Sequence, residues 1–283
     1  MYFDLNIPYS KETNTKEEER IDLLMKRIKS IDQATIAWNM EVFEISQMKA
    51  IPPYGPQRFP TIQQLTRVTV AVDDIKKNYQ LVAANPLNQQ IDILAVKPLT
   101  SDACKQACQV YEIDLISIDL CTTIGLPGYG AAQVAINRGI FFEICYSHAI
   151  RQPGKRALFF ANVRKLIQHT RGHNLILSSG AIQALEIKRP SDIRMLALMF
   201  GMNPTQMEAA VGYNYQRLLR KAETRKNTIA SAISINEPYI QTTAESTSTS
   251  DASSSKGKKR KNKPNNNNNN NKKQKKQKQP KTN

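Results

Sequence analysis

Short apolar runs alternate with amphipathic stretches from the first residues of the chain to about Tyr239. Tyr2–Ile7 predicts a strand. Lys16–Ile31 predicts a helix, because Ile21, Leu24, Met25 and Ile28 recur at i, i+3, i+4 and i+7 and so share one helical face. Further strands are predicted at Thr35–Val42, Val68–Val72, Ile91–Val96, Leu115–Leu120, Ile140–Tyr146 and Leu175–Ser178. Most are unbroken apolar runs rather than strict alternations, as expected of strands covered on both faces. Helices are predicted between them at Ser101–Tyr111, Ala131–Arg138 and Pro153–Arg171. Ile51–Gln64, which carries Pro52, Pro53, Pro56 and Pro60, is expected to be an irregular loop. This alternation predicts an α/β fold built on a parallel sheet or barrel.

The end of the patterned region turns helical. Ile193, Leu196, Ala197 and Phe200 line one face of Pro190–Phe200, and Gly201 stands where a helix-terminating glycine belongs. Asn203, Pro204 and Gln206 then form the start signal of a helix that runs to about Lys226. Beyond Tyr239 the apolar period stops. Gln241–Ser255 is rich in Ser and Thr, Lys256–Lys263 is basic, Asn265–Asn271 is all asparagine and Lys272–Lys281 is Lys and Gln. A segment with so little to bury cannot offset its ordering entropy, so 241–283 is expected to be a disordered tail on a single domain of residues 1–240.

Charge sharpens this division. The 283 residues hold 40 Lys+Arg and 24 Asp+Glu, a net of +16. The tail carries 12 basic and 2 acidic residues, residues 1–137 carry 13 and 16, and residues 138–226 carry 15 and 5. A basic second half and a very basic tail imply a polyanionic partner. Lys258, Lys259, Arg260 and Lys261 fit a nuclear-targeting or nucleic-acid patch. No apolar stretch approaches the roughly 20 residues of a membrane span, and the first residues lack the pattern of a secretory leader. Four cysteines in so long a chain are no disulfide scaffold, and a reduced, intracellular protein is expected.

The candidate chemistry is one-sided. Asp4, Asp73, Asp74, Asp119 and Glu143 fall at predicted strand ends, where a barrel would place a site. Only His148, His169 and His173 could join them, and none stands beside such an acid in a metal-binding pattern. These carboxylates are therefore expected to bond to loop amides or arginines. Cys104 and Cys108, four apart on a helix, are expected as small core residues. Gly125–Gly130 lacks dinucleotide spacing and reads as a turn. The basic constellation is stronger. Arg151, Lys155, Arg156, Arg164, Lys165 and Arg171 occur in one stretch without a single acid. Arg164 and Arg171 share a helix edge beside the apolar stripe of Phe159, Val163 and Leu166. Lys188, Arg189, Arg217, Arg220, Lys221, Arg225 and Lys226 add charge with little acid nearby, and planar guanidinium forks suit phosphate.

Two segments carry a family resemblance: Phe141–Arg151, FFEICYSHAIR, and Thr170–Ala181, TRGHNLILSSGA. The chain resembles the thirty-kilodalton protein subunit shared by ribonucleases P and MRP. Phe3–Pro8, Asp92–Pro98, Leu115–Leu120, Ala184–Glu186, Pro190–Asp192 and Leu198–Gly201 support it in the same order over residues 1–226. The resemblance implies a TIM-barrel-like (β/α) barrel related to the polymerase-and-histidinol-phosphatase (PHP) phosphoesterases. Where those hydrolases begin with His-x-His, this chain has Asp4-Leu5-Asn6, so the resemblance implies a barrel without the metal chemistry, a catalytic residue or a cofactor. It implies a noncatalytic subunit supporting 5′ maturation of precursor tRNA by a catalytic RNA. The implied partners are the RNase P and MRP RNAs, a small α/β protein subunit and, indirectly, precursor tRNA. The implied location is the nucleus, with the nucleolus. Arg151, Arg156 and Arg171 match the family motifs and are expected to touch RNA; Lys155, Arg164 and Arg189 extend that surface. Two alternatives remain at this point: a divergent metal-dependent phosphoesterase using Asp4, Asp119 and Glu143, and a barrel that is only an assembly scaffold.

Overall fold

The computed structural model describes residues 1–10, 15–31, 33–47, 51–74, 81–82, 85–123, 125–229 and 232–233. The expected tail and its Lys258–Lys261 cluster lie outside the described residues. Seven strands form one sheet: β1 (Tyr2–Pro8), β2 (Ala34–Val42), β3 (Ile62–Val72), β4 (Ile93–Pro98), β5 (Leu115–Ser117), β6 (Phe141–Cys145) and β7 (Leu175–Ser178). Every neighbour is parallel, and the spatial order is the chain order. The described helices are α1 (Thr15–Lys29), α2 (Pro86–Gln89), α3 (Ser101–Gln109), α4 (Tyr129–Asn137), α5 (Ser147–Arg151), α6 (Arg156–Thr170), α7 (Pro190–Met199), α8 (Pro204–Glu208) and α9 (Asn214–Asn227). A short hairpin of β8 (Thr228–Ile229) and β9 (Ala232–Ile233) follows.

The fold is the expected α/β barrel, nearly closed. Between β7 and β1 there is no strand ladder. Instead the Gly180 amide donates to the Asn6 carbonyl at 3.0 Å, and the Ser179 amide donates to Asp4 Oδ1 at 3.0 Å. Gly180 makes this approach with φ +60, a left-handed backbone that favours glycine. The sheet divides the core into two layers. Ile21, Leu24, Met25 and Ile28 of α1, and Phe159, Val163 and Leu166 of α6, pack on the outside. Phe3, Leu5, Ile93, Leu115, Phe141 and Ile176 fill the inside, closed at the bottom by Tyr215 and Leu218 of α9. Phe3 and Tyr215 stack with ring centroids 5.0 Å apart.

Among the strands, two boundaries move by three residues or more. β3 starts at Ile62, within the expected loop, and pairs with β2 from there onward. Its opening glutamines hid it, because they are held by neighbours rather than by apolar burial: Thr35 donates to Gln63 at 3.1 Å and the Trp38 indole to Gln64 at 2.9 Å. β5 ends at Ser117, three residues before its apolar run does. Asp119 turns the chain there by accepting the Cys121 amide at 3.0 Å.

Candidate functional site

The barrel mouth, where strands point their C-terminal ends, is occupied by a continuous hydrogen-bonded network. Arg67 of β3 and Glu143 of β6 are fully buried and face each other in a bidentate pair, at 2.5 and 2.8 Å. Ser117 donates to the same carboxylate at 2.6 Å and Asn6 Nδ2 at 3.0 Å. Arg67 also donates to the Leu5 carbonyl and to Thr69, Thr69 donates to Asn39, and Asn39 donates to Asn6 Oδ1. Each side chain of this network thus finds a partner, which is the condition for burying it. Burial pushes the Glu143 carboxyl up, but the Arg67 charge and hydrogen bonds outweigh it and hold it at about 2. Arg67 is burdened by the same burial, and Glu143 raises it above its ordinary value.

Asp4, Asp119 and Glu143 are not brought together as one donor set. The β1 register shifts between Asp4 and Ile7. Asn6 joins the interior network, whereas Asp4 turns to the β1–β7 seam, where it also accepts from the Tyr2 hydroxyl at 3.2 Å. Burial raises the Asp4 carboxyl to about 6 against the pull of Ser179 and Asn6. Asp119 stands at the rim, 3.9 Å from His148 Nδ1. Among the described residues, no three His, Cys, Asp or Glu side chains converge as a metal cage. Above the network, Lys97, Asp119, His148 and Arg151 line a small cleft of about 240 Å³. Its charges are matched in pairs: Lys97 with Glu41 at 2.8 Å, Arg151 with Glu186 at 2.7 Å.

The basic residues form a strip rather than a cluster. Arg151, on α5, is held at the mouth by Glu186 and by the Gly180 carbonyl at 3.0 Å. Lys155 and Arg156 are exposed at the start of α6, with Arg156 Nε donating to the Ala149 carbonyl at 2.9 Å. Arg164 is exposed midway along the helix. Arg171 ends it with φ +54, its guanidinium 5.4 Å from the Tyr129 ring centroid. The 15 residues of α6 span about 22 Å, which sets the length of the strip. Arg189 lies apart from it, exposed ahead of α7.

A family model described as RNase P subunit p30 matches residues 1–227. The chain belongs to the RNase P subunit p30 family. It is 34% identical over 197 residues to "Ribonuclease P protein subunit p30" of Mus musculus, covering 69% of this chain and 73% of the mouse protein. Over 239 residues it is 27% identical to "Probable ribonuclease P protein subunit 3" of Schizosaccharomyces pombe, covering 83% and 99%. It is 33% identical over 182 residues to "Protein GAMETOPHYTE DEFECTIVE 1" of Arabidopsis thaliana, but spans only 31% of that protein's length. A chain in the "cryo-EM structure of archaeal Ribonuclease P with mature tRNA" superposes with a TM-score of 0.59 at 13% identity, covering 84% of this chain and 99% of that one. That likeness shows the fold.

Within this p30-family barrel, the residue that sequence inspection missed is Arg67. A signal was present: one cation in the apolar run of β3 and one anion in the apolar run of β6 each demand a buried partner. The charge assigned to α9 is also corrected. Arg225 and Lys226 appeared poor in acidic neighbours, yet they bind Asp114 at 3.0 Å and Asp92 at 2.6 Å from distant parts of the chain. Lys221 donates to the Ile113 carbonyl at 2.8 Å.

Proposed function

We propose that this chain is a noncatalytic, RNA-binding subunit of nuclear ribonuclease P, shared with ribonuclease MRP, that supports 5′ maturation of precursor tRNA and also serves rRNA processing. The observation that carries the proposal is the family match over the whole barrel. The occupied mouth agrees with a supporting role, since Arg67 and the hydrogen-bond donors take up the Glu143 oxygens that a metal-dependent hydrolase would need free. Its partners in this reading are the two RNAs and a small α/β protein subunit, with precursor tRNA met indirectly. The RNA-facing surface is the α6 strip of Lys155, Arg156, Arg164 and Arg171, joined by Arg189. Arg151 is assigned a share through whatever donors its pairing with Glu186 leaves over. Lys258, Lys259, Arg260 and Lys261 serve entry to the nucleus and the nucleolus.

Lysine and arginine contacts to RNA release counterions, giving salt-dependent affinity that needs no base-reading motif. The test is recovery of the tagged full-length chain from cells and sequencing of the bound RNA. RNase P RNA and MRP RNA are expected, and the absence of both overturns the proposal. Replacing Arg156, Arg164 and Arg171 together by Ala should also flatten the salt dependence of RNA binding by about 2 units of slope. An unchanged slope places the contact surface elsewhere.

A further inference from the structure

Outside the barrel, α1 and the stretch around Pro53 enclose a second cavity of about 180 Å³. Its walls are Tyr9, Trp38, Pro53 and Tyr54, and its lip carries Glu17 and Glu18 from the first turn of α1. Drug-sized ligands occupy roughly 300–1,000 Å³, so this space suits one side chain better than a cofactor.

The walls are fixed before anything enters. Gln64 accepts the Trp38 indole N–H at 2.9 Å and the Tyr54 amide at 2.8 Å, and its own amide donates to the Tyr54 carbonyl at 2.9 Å. One side chain thereby ties the strand-borne ring to the loop-borne ring. Tyr9 meets Trp38 edge-on, with centroids 6.3 Å apart. On the other side, Arg20 grips Glu17 through two hydrogen bonds and donates to the Pro8 carbonyl at 2.7 Å, locking α1 against the end of β1. Glu18 is exposed beside it and makes no ion pair with a described residue.

We propose that this pocket receives the cationic side chain of an arginine or lysine presented by a protein partner. Aromatic faces attract cations through their quadrupole, most strongly where water is displaced. Two carboxylates stand at the entrance, Glu17 held by Arg20 and Glu18 beside it, and among the described residues no lysine or arginine lines the cavity. The surrounding sequence agrees, since residues 1–137 carry 16 acidic and 13 basic side chains in a chain whose total is strongly basic. An RNA base would also stack on these rings, but its phosphates would have to approach the Glu17 and Glu18 carboxylates. Preformed walls lower the ordering cost of binding, which matters for a contact this small. The proposal is independent of the RNA-binding role assigned to the opposite, basic half of the sequence.

Trp38 is the sole tryptophan of the chain, so its emission reports occupancy directly. The full-length protein would be titrated with Ac-Gly-Arg-Gly-amide, Ac-Gly-Lys-Gly-amide and the citrulline peptide, which keeps the arginine shape without its charge. The two cationic peptides should change Trp38 emission saturably, and the citrulline peptide should not at equal concentration. Glu18→Gln and Tyr54→Ala should each weaken binding about 2- to 5-fold, with unchanged far-ultraviolet circular dichroism. Equal binding of citrulline, no response to either cationic peptide, or a stronger Tyr54-dependent response to a single-stranded oligonucleotide would each overturn the proposal.

Discussion

At the scale of single residues, the buried Arg67–Glu143 pair decides what the barrel mouth can be. Taking two charges out of water is repaid only when geometry is good and remaining donors are satisfied, and here Ser117, Asn6, Thr69 and the Leu5 carbonyl complete the shell. Arg67→Met or Glu143→Leu alone should destabilise the protein by about 3–5 kcal/mol, because each strands a buried charge. The double variant should recover most of that loss in urea unfolding. A double variant as unstable as the sum of the singles would contradict this account. Asp4 predicts a pH dependence of defined sign. Its folded value of about 6 lies above the unfolded carboxylate range, so the folded state holds the extra proton and loses stability as pH rises from about 4 to about 6. Asp4→Asn should remove that decline, narrowing the difference between unfolding free energies at pH 4 and pH 7 by at most about 3 kcal/mol. Glu143 titrates lower and is common to both proteins, so it cancels in the comparison. The sequence already showed that these acids needed amides or arginines. It did not show which arginine, because Arg67 lies 76 residues from Glu143 in the chain.

At the scale of elements, α9 is the least typical piece of the barrel, since it closes the bottom rather than flanking a strand. Tyr215 and Leu218 seal the interior, and the Tyr215 hydroxyl donates to the Leu177 carbonyl. Arg225 donates to the carboxylate of Asp114, which is fully buried, and to carbonyls of Asn88, Ile91 and Asp92 ahead of β4. Burial raises the Asp114 carboxyl, and Arg225 is the main counterweight. Arg225→Ala should therefore cost about 3–5 kcal/mol by chemical unfolding, whereas Arg220→Ala, at an exposed position of the same helix, should stay within about 0.5 kcal/mol. A neutral Arg225→Ala would show that α9 is not clamped through this charge. A helical run from Asn203 to about Lys226 was legible from the capping residues that start α8, although a π-helical turn at Ala209–Tyr213 divides α8 from α9. Its place was not, because periodicity says which face is apolar and nothing about which surface receives it. The seven strands were legible for the converse reason: strands buried on both faces announce themselves as apolar runs. Polar residues at the start of β3 and a turn carboxylate at the end of β5 concealed the true boundaries.

At the scale of the molecule, the uneven charge resolves into separate uses. Part of the basic second half is spent on Asp92 and Asp114, two acids of the first half, while the α6 strip, Arg189, Arg217 and Arg220 stay exposed. The first half keeps an acidic lip of its own at the aromatic pocket. The seam between β1 and β7 adds a constraint of time. Asp4 is made well before the amide that clasps it, which belongs to Ser179, 175 residues later. At cellular synthesis rates of about 5–20 residues per second, β1 waits roughly 10–35 s for its second neighbour. Arg67 likewise exists as an unpaired cation until Glu143 leaves the ribosome. The barrel therefore cannot close progressively as it is translated. Its mouth waits for Glu143 and its seam for Ser179, and until then β1 has one open edge.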